Sequence, residues 1–275
     1  MIKNRIKIIA EIGVNHNGNI NTAKKLILVS KKIGADYVKF QTFKTESMCA
    51  VNAPLVSYQR TSKKFRTQFE LLKSLELSKT QHKILISFCR RVGIKFLSTP
   101  FDIDSCDLLE NLSLTTIKIS SGDITNYPLL EKIGKFAKKV ILSSGMSTFR
   151  DILQALKVLT KNGLPLKNIV VMHCTSNYPT LPKNVNILAI EYLKKKLKNP
   201  IGYSDHTIGN EASLAAVSLG ATFIEKHITL NKNFIGPDHK TSLNPEEFSY
   251  FVTSIRKLEE MLGKKKNLFP HQKSV

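Results

Sequence analysis

The sequence lacks the features of a membrane or secreted protein. No apolar run approaches the roughly 20 residues that a membrane-spanning helix needs. The first residues, MIKNRIKIIAEIG, carry positive charges but too few apolar residues before Glu11 for the core of a signal peptide. The 4 cysteines show no CxxC or other metal-ligand spacing, which is typical of reduced thiols in a cytoplasm rather than of a disulfide framework. We therefore expect a cytoplasmic protein without membrane contact.

Arginine is scarce even though the chain is strongly basic. The formal net charge is +21, yet only 7 of the 42 basic residues are arginine. A basic chain suggests a nucleic-acid partner, because phosphate neutralisation dominates non-specific affinity. Here the lysines lie in short scattered runs typical of solvated helix faces. Since no arginine-rich tract, zinc finger or aromatic-interleaved basic ribbon is present, we expect no nucleic-acid function.

What the sequence does contain is a strand-and-helix alternation that repeats eight times. The apolar strand candidates are residues 6–12, 36–42, 94–99, 115–121, 139–144, 168–175, 200–205 and 222–228. Helix starts are legible at Ser78 with Gln81, at Thr148 with Asp151, and at Asn244 before Pro245. Eight such units predict a parallel sheet that closes into a (β/α)8 TIM barrel. An open doubly wound sheet is the alternative, but no GxGxxG follows the first strand.

The length of 275 residues suits one such barrel, which typically has roughly 250 residues. Residues 44–64 are polar and interrupted by Pro54, which predicts a long extended loop with a functional role or disorder. Residues 263–275 read as a basic tail after the last helix. We therefore expect residues 1–275 to form a single barrel domain.

Polar side chains gather at the carboxyl ends of the predicted strands. They are Glu11, Lys39, Gln41, Ser98, Thr99, Lys118, Ser120, Ser121, Ser143, Ser144, His173, Thr175, Ser204, His206, Glu225 and His227. A barrel brings these ends to one face, where its active sites lie. Strands often become polar near a loop, which explains Ser and Thr, but a lysine inside a barrel is costly unless an anion meets it. Lys39 and Lys118 therefore predict a small ligand with more than one negative group, such as phosphate and carboxylate.

Two histidines occupy matching positions on neighbouring predicted strands. His206 lies at the end of the seventh strand and His227 near the end of the eighth, at the same height, so their imidazoles are candidates to share a divalent cation. Two imidazoles completed by water and ligand oxygens leave open coordination positions, as in catalytic metal sites. The residues alone leave open a second interpretation, in which both are core histidines hydrogen-bonded to Asp205 and Glu225.

Nine ordered segments resemble those of a known family. They are IAEIGVNHNG (9–18), VKFQTF (38–43), FLSTPFD (96–102), IKISSGD (117–123), SSGMST (143–148), HCTSNYP (173–179), GYSDHTIG (202–209), IEKHITL (224–230) and GPDHKTSLNPEEF (236–248). Together they cover nearly the whole chain. It resembles the catalytic barrel of the sialic acid synthase family, which condenses phosphoenolpyruvate with an N-acylated hexosamine to make nonulosonic acids.

The resemblance implies binding roles for the matched residues. His206 and His227 would hold a divalent cation. The cation that the resemblance implies is Mn²⁺, with Mg²⁺ or Co²⁺ as alternatives. The residues implied to hold phosphoenolpyruvate are Lys39, Thr99, Lys118, Ser121, one of Ser143 and Ser144, Ser176 and Ser204. The residues implied to face the sugar are Gln41, Asp123, Tyr178, Glu225 and Asp238.

The reaction that the resemblance implies is a metal-dependent aldol-type condensation. The cation would polarise the open-chain aldehyde, the enol carbon of phosphoenolpyruvate would attack it, and water would displace phosphate by C–O cleavage. Glu11 or Asp238 is the expected base for that water, and Lys118 with Lys39 would neutralise the departing group. The residues expected to be catalytic are Glu11, Lys118, Glu225 and Asp238.

The sequence departs from the family pattern in three places. Ser176 stands where a typical sialic acid synthase has Asn, and Asp123 where it has Glu. Both resemble the branch that makes bacterial sialic, legionaminic or pseudaminic acids, so the sugar is open. The family, which forms homodimers, usually appends an antifreeze-like domain that brings an arginine into the partner's site, and we expect that domain to be absent here.

That expected absence raises an alternative function. A barrel without the appended domain would bind sugar or phosphoenolpyruvate without catalysis, as an accessory in surface-polysaccharide biosynthesis. The enzyme is favoured because a site freed from chemistry has no physical reason to keep buried charges. The residues that carry this argument are Glu11, Lys39, His206, His227 and Asp238.

Overall fold

Eight parallel strands close into a barrel in sequence order. The computed structural model describes residues 5–55 and 65–263. The strands are β1 (Lys7–Gly13), β2 (Tyr37–Thr42), β3 (Lys95–Pro100), β4 (Thr116–Ile119), β5 (Lys139–Ser143), β6 (Ile169–Cys174), β7 (Ile201–Asp205) and β8 (Phe223–His227). Each strand pairs with the next, and β8 pairs with β1 to close the sheet. The predicted TIM barrel is confirmed.

Helices pack around the outside of the barrel. They are α1 (Ile20–Ile33), α2 (Thr45–Met48), α3 (Gln68–Leu75), α4 (Lys79–Val92), α5 (Ile103–Asn111), α6 (Tyr127–Phe136), α7 (Phe149–Lys161), α8 (Ala189–Lys196), α9 (Glu211–Ser218) and α10 (Pro245–Met261). The three predicted helix starts are confirmed. Ser78, Thr148 and Asn244 each accept a hydrogen bond from a first-turn backbone N–H, and each is completed by a reciprocal side-chain bond.

The core has two layers because side chains alternate along each strand. The inner layer lies inside the barrel, below the polar carboxyl ends of the strands. Its residues are Ile9, Tyr37, Leu97, Ile141, Val170, Met172 and Phe223. The outer layer lies between the strands and the helices. In α7, for example, Ile152, Ala155, Leu156 and Leu159 are buried at helical spacing. This packing leaves the carboxyl ends of the strands as the polar end of the interior.

The predicted strand and loop boundaries need two corrections. The fourth strand ends at Ile119, and residues 121–123 form a 3-10 turn rather than more strand. The segment predicted as an extended loop contains α2, whose first residue Thr45 is fixed by the carboxylate of Glu76. Residues 56–64 of that predicted loop and the basic tail from residue 264 lie outside the described residues. Within the described ranges, no helix combines the length and apolarity that crossing a bilayer requires.

Candidate active site

Lys39 lies at the centre of a buried ionic cluster in the barrel mouth, the end of the interior formed by the carboxyl ends of the strands. Its Nζ lies 3.0 Å from Glu11 Oε2 and 3.8 Å from Glu225 Oε1, and it donates a hydrogen bond to Thr99 Oγ1 at 3.1 Å. Ser204 donates to Glu225 Oε1 at 3.0 Å. These residues come from strands that are neighbours around the barrel, β7, β8, β1, β2 and β3. The cluster therefore depends on closure of the sheet.

The two carboxyl groups of this cluster differ in protonation. Burial raises the pKa of Glu11 to about 7, although Lys39 opposes the shift and Glu225 adds to it. Burial also acts on Glu225, but the charges of Lys39 and Lys118 outweigh it and lower the pKa of that carboxyl. Glu225 is therefore the ionised partner of Lys39, and Glu11 can take up or release a proton near neutral pH.

Lys118 is the second buried ammonium group of the barrel mouth. Its Nζ donates to Ser143 Oγ at 2.5 Å and to the Ile119 carbonyl at 3.0 Å. Among residues 5–55 and 65–263, no carboxylate forms an ion pair with it. Burial lowers the pKa of Lys118, and the charge of Lys39 adds to that shift while Glu225 opposes it. Since a buried cation is costly unless a counter-charge meets it, this position suits an anionic ligand.

Two serine hydroxyl groups, those of Ser121 and Ser176, lie beside Gly145. Ser121 Oγ accepts a hydrogen bond from the Gly145 N–H at 2.9 Å, whereas Ser176 Oγ is buried without a partner in the described part of the chain. A Cβ at Gly145 would lie 2.5 Å from Ser176 Oγ and 2.8 Å from Ser121 Oγ. The missing side chain therefore leaves room for both hydroxyls, which can donate to an anion's oxygens.

Alternation along the strands separates residues that the sequence places side by side. The Ser143 hydroxyl faces Lys118, whereas the Ser144 hydroxyl donates to the Met172 carbonyl at 3.0 Å. His173 likewise faces the helix layer, where its ring stacks on Tyr203 with centroids 5.7 Å apart. Of these side chains, Ser143 is the one in direct contact with the Lys118 ammonium.

His206 and His227 bring two imidazoles together beside the ionic cluster. Their ring centroids are 5.7 Å apart at an interplanar angle of 66°. His206 Nδ1 donates to the Thr175 carbonyl at 2.8 Å, so Nε2 is the ring nitrogen that remains to accept or ligate. His227 Nδ1 is buried without a hydrogen-bond partner in the described ranges and lies 3.9 Å from Asp238 Oδ2. The Nδ1 atom of His227 therefore lies close to a carboxylate.

These groups fit a divalent cation. Burial lowers the pKa of His227 well below its usual value, and His206 adds to the shift, so the ring is neutral and able to ligate a metal. No three His, Cys, Asp or Glu side chains of residues 5–55 and 65–263 form a ready-made cage. A cation held by the two imidazoles would therefore take its other ligands from water or substrate oxygens.

The alternative interpretation of the histidines is not supported by their contacts. It expected both rings to be hydrogen-bonded to Asp205 and Glu225. Asp205 instead pairs with Lys226 at 2.8 Å, and Glu225 accepts from Ser204.

The residues expected to face the sugar divide between two sides of the mouth. The Tyr178 ring lies 4.6 Å from that of His227, and burial raises the pKa of nearby Asp238 to about 6. On the other side, Gln41 lies beside Glu11. Glu11 and Glu225 both belong to the ionic cluster around Lys39. Asp123 lies after β4, where its Oδ2 accepts a hydrogen bond from Ser120 at 2.6 Å.

Comparisons with known proteins identify the family. The model of the NeuB family matches residues 26–267. The chain belongs to the NeuB family. Relatives of this NeuB-family chain are named as synthases, and this chain is likewise an enzyme, a synthase.

Three proteins illustrate the similarity. The N,N'-diacetyllegionaminic acid synthase of Campylobacter jejuni is 49% identical over 93% of this chain and 77% of its own length. The pseudaminic acid synthase of Helicobacter pylori is 33% identical over 94% of this chain and 75% of its own. The N-acetylneuraminic acid (sialic acid) synthetase of Leptospira borgpetersenii, crystallised with citrate, matches with a TM-score of 0.87 and 34% identity, over 98% of this chain and 88% of that one.

Two residues of this NeuB-family site were not predicted from the sequence. Cys174 Sγ lies 3.9 Å from His206 Nδ1, and its inward direction follows from alternation with the outward His173. Ser242 Oγ lies 3.3 Å from the Tyr178 hydroxyl and accepts from Asn15 Nδ2 at 2.8 Å. Ser242 lies outside the strands, so no periodic signal in the sequence indicates it.

Proposed function

We propose that this chain condenses phosphoenolpyruvate with an N-acylated hexosamine, in a reaction that needs a divalent cation and yields a nonulosonic acid and phosphate. The single observation that carries the proposal is the burial of two ammonium groups, those of Lys39 and Lys118, in the same barrel mouth as the imidazoles of His206 and His227. A doubly anionic donor beside a cation-polarised acceptor is the chemistry that this combination suits.

Phosphoenolpyruvate has two anionic groups, and the two lysines differ in their partners. Lys39 already has Glu225 as its ionised counter-charge, whereas the hydrogen bonds of Lys118 to the described residues go to neutral oxygens. The phosphate would therefore lie against Lys118, with the hydroxyls of Ser121 and Ser176 as further donors. The carboxylate would lie towards Lys39, with Thr99 and Ser204 beside it.

The acceptor sugar would lie on the side of the two histidines. His206 and His227 would hold a divalent cation, with Mn²⁺ as the proposed metal. When bound, the cation would supply Lewis-acid polarisation of the aldehyde oxygen. Tyr178 and Asp238 flank this position and would orient the sugar, with Gln41 facing it from β2.

The proposed reaction forms one carbon–carbon bond and exchanges the C–O bond to phosphate for a C–O bond to water. The enol carbon of phosphoenolpyruvate bonds to the aldehyde carbon, whose C=O π bond opens so that its oxygen takes a proton. Water adds to the carbon that carries the phosphate, and phosphate leaves with the electron pair of its C–O bond as the added hydroxyl loses its proton and becomes the ketone. A base must take a proton from that water. Glu11 and Asp238 suit this role, because burial raises their pKa values to about 7 and about 6.

The finer substrate assignment is also a proposal. Identity to the diacetyllegionaminic acid synthase, 49%, exceeds that to the pseudaminic acid synthase, 33%. This difference supports the diacetylated precursor of legionaminic acid, rather than the precursor of pseudaminic acid, as the preferred acceptor. The family resemblance further supports a homodimer that works in the cytoplasm, and light scattering on the purified protein measures its mass.

A phosphate-release assay tests the proposal. The purified chain is incubated with phosphoenolpyruvate and a panel of N-acyl hexosamines, after chelation and again after Mn²⁺ is restored. We expect release that requires both sugar and metal and that His227→Ala abolishes. Absence of release across the panel, from protein that is folded by circular dichroism, would overturn the proposed activity.

A further inference from the structure

Asp205 and Lys226 form a second buried ion pair, on the opposite face of the strands from the active site. Asp205 Oδ2 and Lys226 Nζ are 2.8 Å apart, with side-chain exposures of 0% and 3%. The two residues are register partners on β7 and β8, directly after the pair of Ser204 and Glu225 that faces the barrel interior. Each is also the neighbour in sequence of a proposed cation ligand, His206 or His227.

The ion pair holds the backbone immediately after His206. Asp205 Oδ1 accepts from the Thr207 N–H at 2.8 Å and from its hydroxyl at 2.7 Å, while Lys226 Nζ donates to the Thr207 carbonyl at 2.8 Å. The Ser213 hydroxyl donates to Asp205 Oδ2 at 2.6 Å. Asp205 and Thr207, the residues on either side of His206, therefore both contact Lys226. Lys226 in turn directly precedes His227 in the sequence.

Stability alone does not explain an ion pair at this position. The outer layer of the core is otherwise built largely from apolar residues such as Ile224, Val217 and Phe251. Replacing a buried ion pair by well-packed apolar residues is often neutral or stabilising, because both charges lose their hydration on burial. What an apolar pair would lack is the directional link from β8 to the Thr207 backbone.

We propose that Asp205 and Lys226 are positioning residues that set the separation of the His206 and His227 imidazoles and thereby the affinity of the chain for its cation. This inference rests on the proposed cation site. The partners of metal-binding side chains change metal affinity by about 10- to 100-fold when they are substituted. An effect through backbone position falls at the lower end of that range.

The test compares single and double substitutions. Lys226→Met or Asp205→Asn alone leaves one charge buried without its partner, so both stability and cation affinity fall. Lys226→Met combined with Asp205→Asn removes both charges but also the link to the Thr207 carbonyl. We expect the double variant to regain much of the melting temperature lost by the single variants, while its dissociation constant for Mn²⁺ stays about tenfold above that of the unsubstituted chain.

Cation affinity is measured without reference to turnover. Electron paramagnetic resonance reports free Mn²⁺ during a titration, and the visible spectrum of bound Co²⁺ reports the ligand geometry. Asp36→Asn is the matched control, because Asp36 accepts from the Ile8 N–H and pairs with Arg256 at the opposite end of the barrel. We expect this control to lower the melting temperature and to leave Mn²⁺ affinity unchanged.

The outcomes separate this inference from the proposed function. If the unsubstituted chain does not bind Mn²⁺, or binds it equally well with His227→Ala, the cation site itself is wrong. If the chain binds Mn²⁺ through His227 and the double variant binds it as tightly with the same Co²⁺ spectrum, the positioning role is wrong. A double variant whose Mn²⁺ affinity recovers together with its melting temperature also contradicts it.

Discussion

The Nζ atom of Lys118 lies 2.5 Å from Ser143 Oγ, which places an ammonium group and a hydroxyl of neighbouring strands inside the barrel. In the described residues no carboxylate pairs with this ammonium group. A bound anion such as the proposed phosphate would balance a charge at this position, so we expect function and stability to oppose each other here.

Lys118→Met is expected to inactivate the enzyme without unfolding it. The substitution keeps the length of the side chain and removes its charge, so kcat/KM should fall by about 10²–10³-fold, as when an electrostatic donor to a transition state is lost. The melting temperature should stay equal or rise, because a poorly compensated buried charge is gone. Phosphate release and thermal unfolding measure the two effects. A large loss of stability would show that Lys118 has a structural role.

Gly145→Ala should weaken the binding of phosphoenolpyruvate. Its Cβ would lie 2.5 Å from Ser176 Oγ and 2.8 Å from Ser121 Oγ, so both hydroxyls must move away from the proposed phosphate position. We expect KM for phosphoenolpyruvate to rise about tenfold. Gly122→Ala is the control, because its nearest neighbour, Ser120 Oγ, would lie 3.7 Å away. Equal KM values for the two variants would contradict the proposed binding of phosphate by the Ser121 and Ser176 hydroxyls.

The pH dependence of kcat/KM should reveal the base. Burial raises the pKa of Glu11 to about 7 and that of Asp238 to about 6. A base acts when deprotonated, so the rate should rise with pH through one of these values. If Glu11 is the base, Glu11→Gln removes a limb near pH 7 and lowers the rate by about 10²-fold or more. A limb near pH 6 that disappears only in Asp238→Asn assigns the role to Asp238 instead.

The pH dependence of stability should show the contribution of Glu76, which fixes α2. Burial opposes ionisation, but hydrogen bonds from Thr45, Lys73 and Lys44 lower the pKa of this carboxyl from 4.5 to about 2. Because the folded-state pKa is depressed, the stabilisation is present above pH 4.5 and is lost as pH falls through about 2.

Glu76→Gln should therefore lower the free energy of unfolding at pH 7 by about 1 kcal/mol, since solvent screens part of the interaction. Urea titrations at pH 7 and pH 4 measure the difference from the unsubstituted chain, which should be smaller at pH 4. Glu46→Gln is the control, because Glu46 binds the same Lys73 from a side chain that is 58% exposed. We expect no measurable change from it, and equal effects of the two variants would contradict the role of Glu76.

The sequence predicted the chemistry of the mouth better than the direction of individual side chains. Alternation shows that Ser143 and Ser144 face opposite ways, but it does not say which of them faces inward. Packing decides this, because Ile141, two residues before Ser143, belongs to the inner core layer. The same reasoning places Cys174 inside and His173 outside, since Met172 is an inner-layer residue.

The sequence by itself determined the eight-fold alternation, the helix starts and the residue types at the strand ends, because these depend on short-range periodicity and capping. Only the tertiary structure decided which charges meet. The contact of Lys39 on β2 with Glu225 on β8 needs β8 to close against β1, the strand that lies between them. The pairing of Asp205 with Lys226 likewise depends on the register of β7 with β8, and register is a property of the assembled sheet rather than of either strand.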